Sequence, residues 1–446
     1  MQKDLTKGSV LRNLIYFSLP YLLSCFLQTF YGLTDLFITG QFNGADTISA
    51  VSIGSQVTHM LTVIIVGLAM GTTVIISRAI GSKKPDLAAR GIGNTILLFA
   101  LFSIFTTILL LLSADLIIAA ISTPVEAVSE TKKYLMICFI GVPFITAYNV
   151  ISSIFRGLGD SKSPMYFVAV AGVINIILDI LFIGPLGMGA AGAALATIIA
   201  QAASVAFALF SLRRAKLGTP LSRQDLRFDR NVLSSILKVG LPIAFQDGFI
   251  QISFLVITAI ANQRGVIAAA SVGIVEKIIC FLFLVPSAML SSISAIAAQN
   301  AGAGQHKQGA KVLRYGITIC VSFGLLAAVI CEIWTEPILQ LFVHDDAAVV
   351  RMGCQYLRAY VFDCVFAGIH FSFSGYFCAY RKAFASFIQN LLSILLVRIP
   401  GAYLTSMLFP DTLFPMGLAA PAGSLFSALV CVLIYSYLRK KHLLYE

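Results

Sequence analysis

The stretch FYGLTDLFITG, Phe30–Gly40, closes a run that begins at Leu14 and holds no charge before Asp35. A run of that length can cross a bilayer as a helix, the one open-chain form that satisfies its own backbone hydrogen bonds in lipid. Comparable uncharged apolar runs recur from one end of the chain to the other. The fold class that follows is an all-α polytopic membrane protein. Asp35 then needs a reason, because an ionisable group at bilayer depth is costly and by default marks function.

The bulk numbers agree. The chain has 446 residues, 58% hydrophobic and 11% charged, with a mean hydropathy of +0.91. Soluble domains carry about 25% charged residues, so a soluble globular protein is excluded. The first apolar run is too long for a signal peptide and lacks a small-residue cleavage site, so it reads as the first span. Nine cysteines are scattered through apolar segments without a C-x-x-C pair. They read as small buried hydrophobes rather than disulfides or metal ligands. The net charge of +11 does not point to nucleic acid, because the basic residues sit in short loops between spans.

Cutting at charged and Gly/Pro-rich breaks predicts about twelve spans. They cover 14–39, 48–77, 91–113, 132–153, 164–184, 189–212, 232–260, 267–298, 311–333, 354–378, 384–409 and 416–438. One side takes 24 of the 31 Lys and Arg residues, including both terminal groups. The positive-inside rule places that side, and both termini, in the cytoplasm. The chain also repeats itself. YFSLPY at Tyr16 echoes KVGLPI at Lys238, ISAVSIG at Ile48 echoes IAAASVG at Ile267, and MGAAGAA at Met188 echoes MGLAAPA at Met416. RAIGSKKPDLAAR at Arg78 echoes QNAGAGQHKQGAK at Gln299, so four echoes follow in order at nearly one offset, close to half the length. Six spans per half give the halves one orientation, as in parallel-repeat transporters. The division predicted is a lobe at 1–212, a basic cytoplasmic linker at 213–231 and a lobe at 232–446.

Asp35, Asp179 and Thr197 all fall in the outer half of the first six spans, and Asn175 lies four residues before Asp179 on the same helix face. Two carboxylates, an amide oxygen and a hydroxyl at one depth suit a hard cation; they suit a proton equally, since crowded carboxyls disfavour charge in low dielectric. Asn175 or Thr197 alone would be ordinary interhelical glue. In the second half, Glu276, Asp363 and Arg398 are candidates for a further polar site, whereas Asp247, Lys277, His59 and His370 read as hydrated or packing residues. Gln28, Tyr31, Met60 and Tyr148 are candidates for a substrate cavity, because aromatic and Met surfaces suit varied cations. GLGD, Gly157–Asp160, matches the motif of intramembrane aspartyl proteases but lies in a basic loop, so it reads as a turn. There is no Walker A sequence, so ATP drive is not expected.

These residues resemble the multidrug and toxic compound extrusion (MATE) transporters. The resemblance rests on the LP of span 1, TDLFITGQFNGADTISAVSIG after it, and GTTVIISRAIGSKKPDLAAR closing span 2. It continues in IFRGLGDSKSP, in NIILDILFIGPLGMGAAGAALAT and in VRIP, so it covers essentially the whole chain. It implies two six-helix lobes around a central cavity, and export of bulky amphipathic or cationic compounds in exchange for Na+ or H+. It also implies a cation site at Asp35, Asn175, Asp179 and Thr197. A second branch of the family carries a Glu early in span 7 and an Asp in mid span 10. This chain has Ile250 near the first position and places Asp363 nearer the outer end, so it is similar to the branch coupled through the N-terminal lobe. The expectation is a monomeric, non-enzymatic, cofactor-free exporter in a bacterial inner membrane, touching small-molecule drugs and membrane lipids. The rival is a flippase for lipid-linked oligosaccharides, whose cavity would need more buried bases.

Overall fold

The computed structural model describes residues 4–121, 123–214, 222, 224–343 and 346–442. Lys3, Lys216 and Arg223, assigned to the cytoplasmic side, and part of the 213–231 linker lie outside the described residues. Among the described residues all regular structure is helical. Six helices serve the first half: α1 Val10–Phe42, α2 Ala45–Gly81, α3 Pro85–Ala120, the pair α4 Val128–Ile140 and α5 Val142–Gly157, α6 Lys162–Ile183 and α7 Gly189–Arg214, counting the pair as one span. The second half follows with α8 Arg230–Gln263, α9 Val266–Gly302, α10 His306–Ile333, short α11 Thr335–Gln340, and the pair α12 Ala347–Tyr360 and α13 Asp363–Ala379. It ends with α14 Ala383–Ser393, α15 Ile399–Leu408, short α16 Phe414–Gly417 and α17 Ala419–Lys440. Ten helical stretches are long and apolar enough to cross a membrane singly, and the two bent pairs raise the number to twelve.

Two predicted spans differ in form. The 132–153 and 354–378 runs are each two helices, bent by 49° and 40°. The first break is written in the sequence as Gly141 followed by Pro143, which has no amide to donate. The second, at Val361 and Phe362, carries no such mark. Helices also outrun the apolar stretches: the run predicted at 48–77 is α2, Ala45–Gly81. Hydropathy stops at the first charge, whereas a helix continues until its hydrogen bonds are terminated.

The duplication extends to backbone details. α2 and α9 are both 37 residues long and start at Ala45 and Val266. Lys83 and Gly304, at equivalent turns, both adopt positive φ, 53° and 71°. The two bends follow Ile140 and Tyr360, again about 220 residues apart. Compactness divides the chain into two units, Leu19–Leu237 and Leu5–Ser18 with Lys238 onward. The divisions fall inside α1 and α8, just before Pro20 and Pro242.

Within each unit, small residues let helices approach closely, as packing in lipid requires. In the first, Thr73 and Ser77 of α2 donate to the carbonyls of Ser153 and Gly157 on α5, both at 3.1 Å. In the second, a Cβ on Gly375 of α13 would lie 2.4 Å from the Leu290 carbonyl of α9. The GLGD loop is a turn: Gly159 has φ +85°, and Asp160 Oδ1 accepts from the amides of Lys162 and Ser163 at the start of α6.

The end of the linker is docked on α3. Asn94 Oδ1 accepts from the Asp229 amide at 2.8 Å, and its Nδ2 donates to the Arg227 carbonyl at 3.2 Å. Arg90 pairs with Asp229 at 3.7 Å. Contact is close enough that a Cβ on Gly93 would sit 2.0 Å from the Asp225 carbonyl oxygen. Gly93→Ala should therefore displace this segment, at a cost of about 2 kcal/mol. Limited trypsin digestion should cut after Arg227 faster in the variant, with a lowered Tm.

Candidate functional site

The four predicted oxygen donors of the first unit are together. α1 brings Asp35, α6 brings Asn175 and Asp179, and α7 brings Thr197. Thr197 Oγ1 lies 3.3 Å from Asp35 Oδ2 and 3.0 Å from the Ala193 carbonyl of its own helix. Asn175 Nδ2 donates to Thr197 Oγ1 at 3.5 Å. Asp35 and Asp179 are immediate electrostatic neighbours. Asp179 is 0%, Asn175 1% and Asp35 5% exposed. Four of the oxygens here have no hydrogen-bond partner: Asp35 Oδ1, Asn175 Oδ1 and both of Asp179. A buried carboxylate without donors is expensive, and this one faces another. The arrangement is deficient in positive charge and rich in lone pairs, so it can take a proton or a small hard cation.

α7 packs against span 4 at its bend. A Cβ on Gly141, at the bend, would lie 2.1 Å from Ile198 Cδ1, and Ile198 adjoins Thr197. Tyr134 of α4, 2% exposed, is a further electrostatic neighbour of both acids. It packs on Gly54, where a Cβ would fall 2.2 Å from its ring.

Three of the four candidates for the substrate cavity lie close to one another. Gln28, Tyr31 and Asp35 share one face of α1 at spacings of three and four. Gln28 Nε2 donates to the Tyr148 hydroxyl at 3.4 Å, and Gln201 Nε2 donates to the Tyr31 hydroxyl at 3.3 Å. Tyr31 also packs beside Tyr148 against Phe155 and Phe167. Met60, on α2, is half-buried and takes no part in this bonded group. Sequence reading missed Gln201, although it lies four residues after Thr197 and so on the same face.

The polar candidates of the second unit form a different kind of cluster. Arg398 is 7% exposed. Its Nη2 donates to the Tyr360 hydroxyl, and its guanidinium lies 4.9 Å over the Phe254 ring. Glu276 and Asp363 are both within its electrostatic reach. Glu276 Oε2 accepts from Thr258 Oγ1 at 3.1 Å, while the Asp363 oxygens have no hydrogen-bond partner. Arg398 ends a π-helical turn, Ile394–Arg398, two residues before Pro400. Such turns widen a helix locally and aim a side chain inward. Among the described residues Lys277 is exposed and Asp247 half-buried.

A family model described as MatE matches the chain twice, at residues 20–181 and 242–404. The chain is 30% identical to the probable multidrug resistance protein YpnP of Bacillus subtilis, over 98% of this chain and 97% of that protein. It is 24% identical to the multidrug export protein MepA of Staphylococcus saprophyticus, over 90% and 89%. A solved structure of MATE in complex with MaL6 superposes with a TM-score of 0.91, covering 98% of this chain and 99% of that one. Its identity is 22%, so the likeness concerns the fold.

The geometry separates glue from charge trap. Asp179→Asn keeps the shape and removes one of two crowded charges, so purified protein should melt no lower than wild type by scanning fluorimetry. A fall of more than a few degrees would show that the pair holds the helices together. Thr197→Ala removes weak interhelical bonds and should cost roughly 0.6 kcal/mol.

Proposed function

This chain belongs to the MatE family of transporters, and from that premise we propose that it is a secondary active exporter of amphipathic or cationic compounds. Na+ or H+ entering through the Asp35–Asp179 site drives export. The observation that carries this reading is the set of four buried oxygens without donors. Empty, the two carboxylates hold uncompensated charge and favour a cationic substrate nearby. Loaded with a cation or protonated, they lose that charge, and the state that releases substrate outward becomes favoured. Coupling then arises from the different affinity of each ligand for the two states.

Gln28 and Tyr31 lie on the same α1 face as Asp35, and Gln28 bonds to Tyr148 of α5, so substrate contacts would begin on the helix that carries the cation site. Met60 would add a polarizable surface to that region. The substrate class follows the relatives named for multidrug resistance and export. The excess of Lys and Arg on one side supports an orientation with both termini in the cytoplasm, and the membrane proposed is a bacterial inner membrane.

The second unit supports coupling through the first alone. At the offsets of the neighbouring echoes, 219 to 222, Asp35 falls between Phe254 and Ile257, and at 222 to 228 Asn175 and Asp179 fall within 397–407, a stretch without Asp or Glu. The oxygen donors are thus replaced by an apolar residue and by the stretch that carries Arg398. A guanidinium held by Tyr360 and Phe254, within electrostatic reach of Glu276 and Asp363, supplies the positive charge that a mobile ion would supply in the first unit. Arg398→Met would remove the positive charge nearest the buried Asp363 and the half-buried Glu276 and should destabilise the protein, read as a lower Tm in detergent.

Purified protein in liposomes tests the whole reading. Ethidium transport should respond to an imposed Na+ or H+ gradient, and the effective gradient identifies the coupling ion. Asp35→Asn should abolish the gradient-driven component. If folded wild-type protein transports nothing under either gradient, the exporter reading fails and flipping of lipid-linked oligosaccharides takes its place.

A further inference from the structure

The second unit holds a cavity of 1090 Å³ that transport coupling does not use. It lies at the end of the unit that carries the basic loops. Its walls are the segment before α1, the turn into α10, the first turns of α10, and the end of α17. Lys307, Arg314 and Arg439 line it together with His306 and His442, and among the described residues no Asp or Glu does. Lys307 and Arg314 are seven apart on α10 and so share a face. Among the described residues none of these three cations forms an ion pair with a carboxylate. Three like charges facing one space repel each other, and an anion relieves the repulsion.

Two further features narrow the ligand. The first turn of α10, a 28-residue helix, opens into the cavity after Gly304, whose φ is +71°. Unsatisfied amides at a helix start favour an anion and suit phosphate oxygens. Part of the lining is apolar: Leu313 and Ile317 continue the cavity along α10, and Tyr435 contributes from α17. Tyr435 is held by ring contacts to Phe373 and Tyr376 at 5.7 and 5.8 Å. A free inorganic anion has no use for an apolar wall, whereas a lipid presents a phosphate with hydrocarbon behind it. Basic pockets between spans on the cytoplasmic side are where such headgroups bind.

We propose that this cavity binds the phosphate group of an anionic phospholipid from the adjoining leaflet. Phosphate is the shared chemistry of a lipid headgroup and a free anion, and the test separates the two. The full chain is purified in a neutral detergent, and its Tm is followed while phosphatidylglycerol, phosphatidylcholine or inorganic phosphate is added. Phosphatidylglycerol should raise the Tm and phosphatidylcholine should not. The triple variant K307Q/R314Q/R439Q should need roughly a hundredfold more phosphatidylglycerol for the same rise, and R314Q alone roughly fivefold more. A control variant, K83Q/K84Q/K162Q, removes the same charge from exposed lysines of the first unit and should shift the requirement less than about twofold. The proposal is overturned if both lipids act alike, or if the control loses as much as the triple variant. It is also overturned if inorganic phosphate alone reproduces the full rise, which would assign the cavity to a free anion. Should the triple variant fail to fold, R314Q decides the question by the same titration.

Discussion

Two carboxylates cannot both stay ionised, side by side, in a space that offers one hydroxyl and one amide as donors. That constraint governs the first unit. Asp35 has only the hydroxyl of Thr197, which is also within reach of the Ala193 carbonyl; the amide of Asn175 is turned to that hydroxyl, and both Asp179 oxygens are left without a donor. Everything that places these groups serves to keep the deficit. Gly141 lets span 4 bend so that Ile198 seats against it, and Gly54 lets Tyr134 close the space beside the acids. A close-packed, small-residue frame matters here because a loose one would let water satisfy the oxygens.

The first unit was legible because its logic is local. Asn175 and Asp179 sit four apart, Gln28, Tyr31 and Asp35 follow helical spacing, and counting from the span ends gives their depth. Helical period and depth are both properties of a single stretch of chain. The Arg398 cluster was not legible in the same way. Its members come from α8, α9, α12, α13 and a π-helical turn. The bend after Tyr360 has no Gly or Pro to announce it, so the position of Asp363 relative to Tyr360 could not be read from spacing. The basic cavity is further still from the sequence, since Arg439 and Lys307 meet only through the packing of distant helix ends.

The twofold repetition explains why the two units carry such different chemistry on so similar a frame. The equivalent bends, the equal lengths of α2 and α9 and the paired positive-φ turns are backbone features. They set where side chains can converge without dictating which. In the first repeat the stretch equivalent to 397–407 supplies Asn175 and Asp179; in the second it supplies Arg398. Both solutions obey the same rule, that buried carboxylates need a positive partner. They differ in whether that partner can leave. A guanidinium tethered by its own backbone, bonded to Tyr360 and stacked on Phe254, has no route out. A free cation does, and only a charge that can leave one face and enter from the other can carry energy across a membrane. On the function proposed above, the asymmetry between the repeats leaves one coupling site, in the first.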